Sequence, residues 1–156
     1  IGTGDWSSDV CSSDLNCGED YMGRISGPLM DRFDLRVDVP PVAFRDLDLP
    51  SSGATSSQIA ERVAKARALQ ADRFADQKTM SQNADLEGDA LDKATALDEP
   101  ARALLTQAAD RFGLSARGYH RVLRVARSIA DLADIESVKR DHVAEALSYR
   151  LPQSAA

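Results

Sequence analysis

The chain has 156 residues, with 19 basic and 25 acidic side chains and a formal net charge of −6. That balance gives no support for wholesale polyanion binding. No apolar run approaches the roughly 20 residues of a membrane-spanning helix. Composition and length describe a soluble, cytoplasmic, globular chain of about one domain.

The first segment, Ile1–Leu15, is set apart from the rest. It has little periodicity and neither a basic region nor an apolar core, so it is not a signal peptide. Its part from Asp5 to Leu15 matches the translation of a common sequencing adapter. Residues 1–15 are therefore read as an artefactual leader and expected to be disordered. Without Asp5, Asp9 and Asp14 the formal net charge rises to −3. Cys11 goes with the leader, leaving Cys17 alone, so no disulfide is expected within the chain, as in a reducing compartment.

Residues 16–50 form the next unit. Arg24 to Leu35 reads Arg-Ile-Ser-Gly-Pro-Leu-Met-Asp-Arg-Phe-Asp-Leu, a short helical turn opened by Gly-Pro. Phe33 to Val39 then alternates apolar and polar, the period-2 pattern of a strand with one buried face. Pro40 and Pro41 stop it. No convincing second strand follows, so this one is expected to be orphaned, its sheet lying upstream of the chain.

Residues 51–97 read as a linker and helical insert. A Ser/Gly/Pro-rich connector leads to a helix capped by Ser57 and running to about Phe74, with Ile59, Val63, Ala66 and Phe74 on one face. Gln77–Gln82 is expected to be loop, and a weak, short helix begins near Asn83 and reaches about Thr95.

Residues 98–150 carry the clearest signals. Asp98-Glu99-Pro100 supplies an N-cap and a proline at the first helical position. Leu104, Leu105, Ala108 and Phe112 form an apolar face, and Gly113 stands where a C′ glycine belongs. Ser115 caps the next helix, which runs to about Ala133 with Tyr119, Val122, Leu123, Ala126, Ile129 and Ala130 inward. A last helix, about Arg140–Tyr149, buries Val143, Ala146 and Leu147, and residues 151–156 are a tail. The fold class is mainly α, with a remnant of an α/β core at its start and a helical bundle at its end.

Arginines dominate the candidate functional residues. By charge alone, Arg32 between Asp31 and Asp34 reads as a surface ion pair worth about 0–1 kcal/mol. Arg117 lies in the first turn of its helix, where a cation opposes the helix dipole at a cost of roughly 0.3–1 kcal/mol. Together with free backbone N–H groups it makes an anion site. Arg121 and Arg124 follow it at i+4 and i+7, with Arg127 to the side. They read either as a solvated helix face, the expectation for Arg124 and Arg127, or as a basic strip toward nucleotide, a neighbouring subunit or DNA. His120 and His142 lack the company of a metal site and read as packing or surface residues, so no metal ligand is assigned. No nucleophilic Ser/His/Asp or Cys/His set is visible, and no G-x-x-x-x-G-K-[ST] phosphate loop is present.

Four blocks carry a resemblance. They are Tyr21-x-x-Arg-Ile-Ser-Gly-Pro-Leu-x-Asp-Arg-Phe-Asp-Leu35, Asn83-Ala-x-Leu-x-Gly88, Leu114-Ser-Ala-Arg-Gly-Tyr-His-Arg-Val-Leu-Arg-Val-Ala-Arg127 and Glu145-Ala-Leu-Ser-Tyr-Arg150. The chain resembles the magnesium-chelatase-like AAA+ family of competence helicases (ComM/YifB type) over essentially all of residues 16–150. The resemblance implies that residues 16–50 end an AAA+ core and that 98–150 form its helical lid. It implies an arginine finger at Arg32, offered in trans to a neighbour's γ-phosphate. Arg117 becomes the lid arginine, called sensor 2, that reaches ATP phosphate in cis, with Arg121 a weaker contact. ATP and Mg2+ would be held mainly by phosphate-loop and acidic motifs upstream, and a cysteine cluster would precede Tyr21, where only Cys17 stands. The implied protein is a homo-oligomeric ring, expected to be a hexamer, that hydrolyses ATP and moves DNA during recombination, with no membrane partner. This chain alone is expected to be inactive. The alternatives are a magnesium-chelatase motor subunit, or a non-catalytic helical module binding DNA or a partner through the Arg117–Arg127 face.

Overall fold

The computed structural model describes residues 26–37, 39, 41–44, 47, 53–77 and 79–150. The expectations for the leader, Cys17 and the tail at 151–156 lie outside the described residues. The chain divides into two units, Ile1–Phe33 and Asp34–Ala156.

Of the first unit, the described part is one turn. Helix α1, Gly27–Met30, follows Ser26 and opens with Pro28, whose fixed φ suits a first helical turn. The turn closes tightly, with Asp31 N–H donating to Gly27 O, Arg32 N–H to Leu29 O at 2.9 Å and Phe33 N–H to Met30 O at 3.3 Å.

In the second unit the expected strand over 33–39 is not formed among the described residues. A strand exists through its ladder, and no second strand is present among those residues to supply one. Leu35, Val37 and Val39 are instead exposed, and Arg36 N–H donates to Tyr149 O at 2.7 Å.

Helix α2 is Ser56–Arg73, capped two residues earlier than Ser57 would place it. Thr55 Oγ1 accepts from Gln58 N–H at 3.3 Å while Gln58 Oε1 accepts from Thr55 N–H at 2.9 Å, a reciprocal capping box. Ile59 and Val63, expected on a buried face, are half exposed; burial begins at Ala66 and continues through Gln70 to Phe74. A 3-10 turn, Asn83–Asp85, precedes helix α3, Gly88–Ala94, so the short helix expected from Asn83 is two pieces.

Helices α4 (Glu99–Phe112), α5 (Ala116–Leu132) and α6 (Arg140–Ser148) follow the sequence signals closely. Asp98 accepts from Ala101 N–H at 2.8 Å and Ser115 from Gly118 N–H at 3.0 Å. Gly113 has φ 62 and ψ 43, and Leu114 N–H closes back on Ala109 O, the Schellman arrangement. The amphipathic α5 is the centre of the packing: α2, α3 and α6 and the 3-10 turn all pack on it, and α6 also packs on α4. Leu86, Leu91, Leu105, Val122, Leu123, Val138 and Val143 fill the core. Phe112, expected inside, is half exposed.

A polar hub is built around Asp131 of α5. The Asp131 carboxylate, fully buried, accepts from Arg73 through two bonds of 3.0 and 2.6 Å, from Arg127 Nε and Nη2 at 3.1 and 2.8 Å, and from Asn83 Nδ2 at 2.7 Å. Asn83 also accepts from Arg73 at 2.8 Å, and its backbone N–H donates to Gln70 Oε1. Arg127 reaches on to Ile135 O at 2.7 Å and to Glu136 O. Burial alone would raise the Asp131 carboxyl, but the hydrogen bonds from Arg73 and Asn83 and the charges of Arg127 and Arg73 outweigh it and hold the group below its ordinary value.

A folded-state value below the unfolded one stabilises the fold above the unfolded carboxyl's value, about 3.9. That contribution is lost as pH falls through the lower folded-state value. Asp131→Ala would leave the buried Arg127 guanidinium and the partly buried Arg73 guanidinium without their carboxylate. Urea titration at neutral pH should show a loss of about 3–5 kcal/mol, and Asp131→Asn should flatten the acid limb of the stability–pH curve. Gly113→Ala, which forces a side chain into the left-handed region, should cost roughly 1–2 kcal/mol in the same titration.

Candidate functional site

Arg32 stands at the end of the Gly-Pro turn. Its backbone is fixed by the bond to Leu29 O, while its side chain is exposed and makes no ion pair or hydrogen bond with any described residue. The surface pair that charge alone suggests is not made: Asp34 is taken by Arg121 instead.

Arg117 occupies the second position of α5, one residue after the helix begins. Ser115 satisfies the Gly118 N–H, and Tyr119 N–H returns to Ser115 O, so by position the amides of Ala116 and Arg117 are left outside the helical ladder. The Arg117 side chain is exposed and unpaired among the described residues. Arginine and free amides together form an electropositive helix start suited to an anion. Beneath it, Gly118 permits a close approach: a Cβ there would lie 2.9 Å from Nη2 of the buried Arg150. Sequence pattern alone does not single out Arg150, because nothing in its own neighbourhood points to α5.

The remaining arginines of α5 are all engaged. Arg121 pairs with Asp34, and its Nε is buried without an acceptor. Arg124, expected on a solvated face, donates through Nε to Leu86 O at 2.8 Å, with Glu87 3.7 Å away. Arg127, expected there too, is buried at 2% exposure in the Asp131 hub. The basic strip is thus no continuous free surface. The reason is geometric: Asp34, the Leu86 carbonyl and Asp131 each come from a different part of the chain to meet it.

Comparison with known proteins bears directly on this constellation. Residues 53–150 match the family model described as "Magnesium chelatase, subunit ChlI C-terminal". Residues 2–47 match "Magnesium chelatase, subunit ChlI", an interval that includes most of the segment read as a leader. The chain belongs to the magnesium-chelatase-like family. The chain is 38% identical over 131 residues to "Competence protein ComM" of Haemophilus influenzae. It is 42% identical over 133 residues to an uncharacterised protein of Mycobacterium tuberculosis, and 37% identical over 131 residues to YifB of Salmonella typhimurium. Each likeness covers 83% of this chain and 25% of the relative, so the chain spans about a quarter of the length of these curated relatives.

Within this magnesium-chelatase-like chain, the described residues contain no group of three His, Cys, Asp or Glu able to hold a metal ion. Among them, no helix is long and apolar enough to cross a membrane. His142 is a buried packing residue whose Nδ1 accepts from Lys139 N–H at 3.1 Å at the start of α6. Replacing Arg127 with Met should destabilise the chain by about 3–5 kcal/mol in urea titration, whereas Arg117→Gln should leave the midpoint within about 0.5 kcal/mol. That contrast separates the structural arginine from the one free to meet a ligand.

Proposed function

We infer that the chain is the C-terminal part of the AAA+ core and the helical lid of a ring-forming ATPase, in which Arg32 acts in trans and Arg117 in cis on ATP phosphates. One observation carries the reading. Among the described residues, the arginines at the two motif positions are exposed and make no ion pair or hydrogen bond, while Arg121, Arg124 and Arg127, on the same helix as Arg117, all have partners. An exposed cation in the first turn of a helix opposes the helix dipole and does not stabilise the helix. A counter-charge from outside, such as a triphosphate, gives it a purpose.

The chemistry asked of each differs. An arginine finger offsets charge on the phosphoryl group as it leaves, an effect of order 10³–10⁵ in rate, or about 4–7 kcal/mol. A planar guanidinium that never loses its proton suits that role. Arg117, backed by the start of α5, would instead hold phosphate oxygens in the ground state. ATP and Mg2+ would be bound mainly by motifs that this chain does not contain. The likeness to a protein named for competence supports a competence-related role; in our reading that role is exercised by an ATP-driven ring, a hexamer, that moves DNA during recombination of incoming DNA. The engagement of Arg121, Arg124 and Arg127 counts against a passive DNA-binding face as the main role.

In a full-length protein carrying this chain, Arg32→Ala should reduce ATP turnover by about 10³-fold or more while nucleotide still binds. Arg117→Ala should weaken nucleotide binding itself. Turnover assays beside fluorescent-nucleotide titrations distinguish the two, and undiminished turnover in Arg32→Ala would refute the assignment.

A further inference from the structure

We propose that Arg150 is a positioning residue for the anion site at the start of α5: its guanidinium, laid against the bare backbone of Gly118, fixes the direction in which Arg117 is presented to phosphate. The inference rests on the reading of Arg117 given above. All the residues it uses lie in the second unit, between Asp34 and Ala156. Arg150 is engaged within the chain and is assigned no bond to phosphate; it acts through Gly118 and Arg117.

Three observations support it. The first is the contact itself. A Cβ built on Gly118 would lie 2.9 Å from Nη2, 3.1 Å from Nε and 3.3 Å from Cζ of Arg150. Several atoms of one planar group are therefore close at once, so the guanidinium lies along the helix instead of touching it with a tip. Gly118 is an ordinary helical residue of α5 and not one of the left-handed glycines. Backbone conformation does not call for glycine there, and glycine is among the least favourable residues in a helix interior. The close approach of Arg150 is what the missing Cβ makes possible.

The second is where the contact falls. Gly118 N–H donates to Ser115 Oγ at 3.0 Å, the cap of α5. Gly118 is thus held through its amide by the cap and at its Cα by Arg150. Arg117 stands between cap and glycine, and in a helix the direction of its Cα–Cβ bond follows from the backbone on either side.

The third is that Arg150 has a fixed root. It is buried at 6% exposure. Its N–H donates to Leu147 O at 3.0 Å, and the carbonyl just before it, Tyr149 O, accepts from Arg36 N–H at 2.7 Å. The helix it follows, α6, buries Val143, Ala146 and Leu147 and packs on α5. A long side chain waving in solvent could not hold a backbone in place. A buried one that ends in a rigid plane can.

The test uses the full-length protein carrying this chain, titrated with a fluorescent ATP analogue and followed for turnover and for urea unfolding. Gly118→Ala pushes the guanidinium away, and because the displaced atoms end a side chain, the unfolding midpoint should change little. Nucleotide affinity should nevertheless fall about tenfold, the scale of one hydrogen bond to a charged group. KM should rise by more than kcat falls, and Arg150→Gln should give the same split. Neither substitution should weaken binding further once Arg117 is already alanine, because both act through it. An equal loss of affinity in the Arg117→Ala background would overturn the positioning role. Wild-type affinity in Gly118→Ala, beside weak binding in Arg117→Ala, would also overturn it and leave the assignment of Arg117 standing. If Arg117→Ala binds nucleotide as the wild type does, that assignment fails and the role of Arg150 with it. Should Arg150→Gln not fold, Gly118→Ala decides by itself.

Discussion

A single carboxylate organises the helical unit. Asp131 sits where α5 nears its end, and two guanidinium groups and a side-chain amide converge on it from α2, the 3-10 turn and one turn back on α5 itself. Taking these charges out of water is costly, and their mutual attraction repays that only when the remaining donors are satisfied. Here Arg127 spends its other N–H groups on the Ile135 and Glu136 carbonyls, and Arg73 bonds Asn83 as well. The same bonds that offset desolvation hold the α5–α6 connection in place.

That connection has a further device. Asp134 adopts a left-handed conformation at φ 56, and Ile135 N–H returns to Ala130 O while Asp134 N–H reaches Asp131 O. This is the same Schellman closure seen at Gly113, made without glycine; aspartate tolerates the left-handed region better than most residues. The carbonyls after it are thereby aimed back at Arg127. Helix termination and polar hub are one arrangement.

What sequence pattern reveals here divides by range. Caps are local, so Asp98, Gly113 and Ser115 mark the ends of α4 and α5, while Pro100, expected at the first helical position, stands second, after Glu99. The apolar faces of α5 and α6 are equally legible because their period is unambiguous. Arg127 is not: on a helical wheel it falls beside a basic stripe, and only Asp131, four residues on, together with Arg73 and Asn83, makes it an interior residue. Ile59 and Val63 mislead for the opposite reason, since their spacing is helical but burial along α2 begins only at Ala66. Among the described residues, the alternating segment from Phe33 finds no neighbour with which to form a ladder. Of the two arginines singled out for function, each is legible only through a motif, since exposure and freedom from partners are properties of the folded chain.

The short parallel pairing of Leu97 with Val138 has an electrostatic corollary. Both α4 and α6 begin two residues beyond it, so the pairing sets two positive helix poles side by side. Like poles repel, and each needs negative charge close by. Asp98 and Glu99 provide it for α4, and Asp141 provides it for α6. The acidity of these connections is therefore a requirement of how the bundle is stitched together, and no sign of a cation to be bound there.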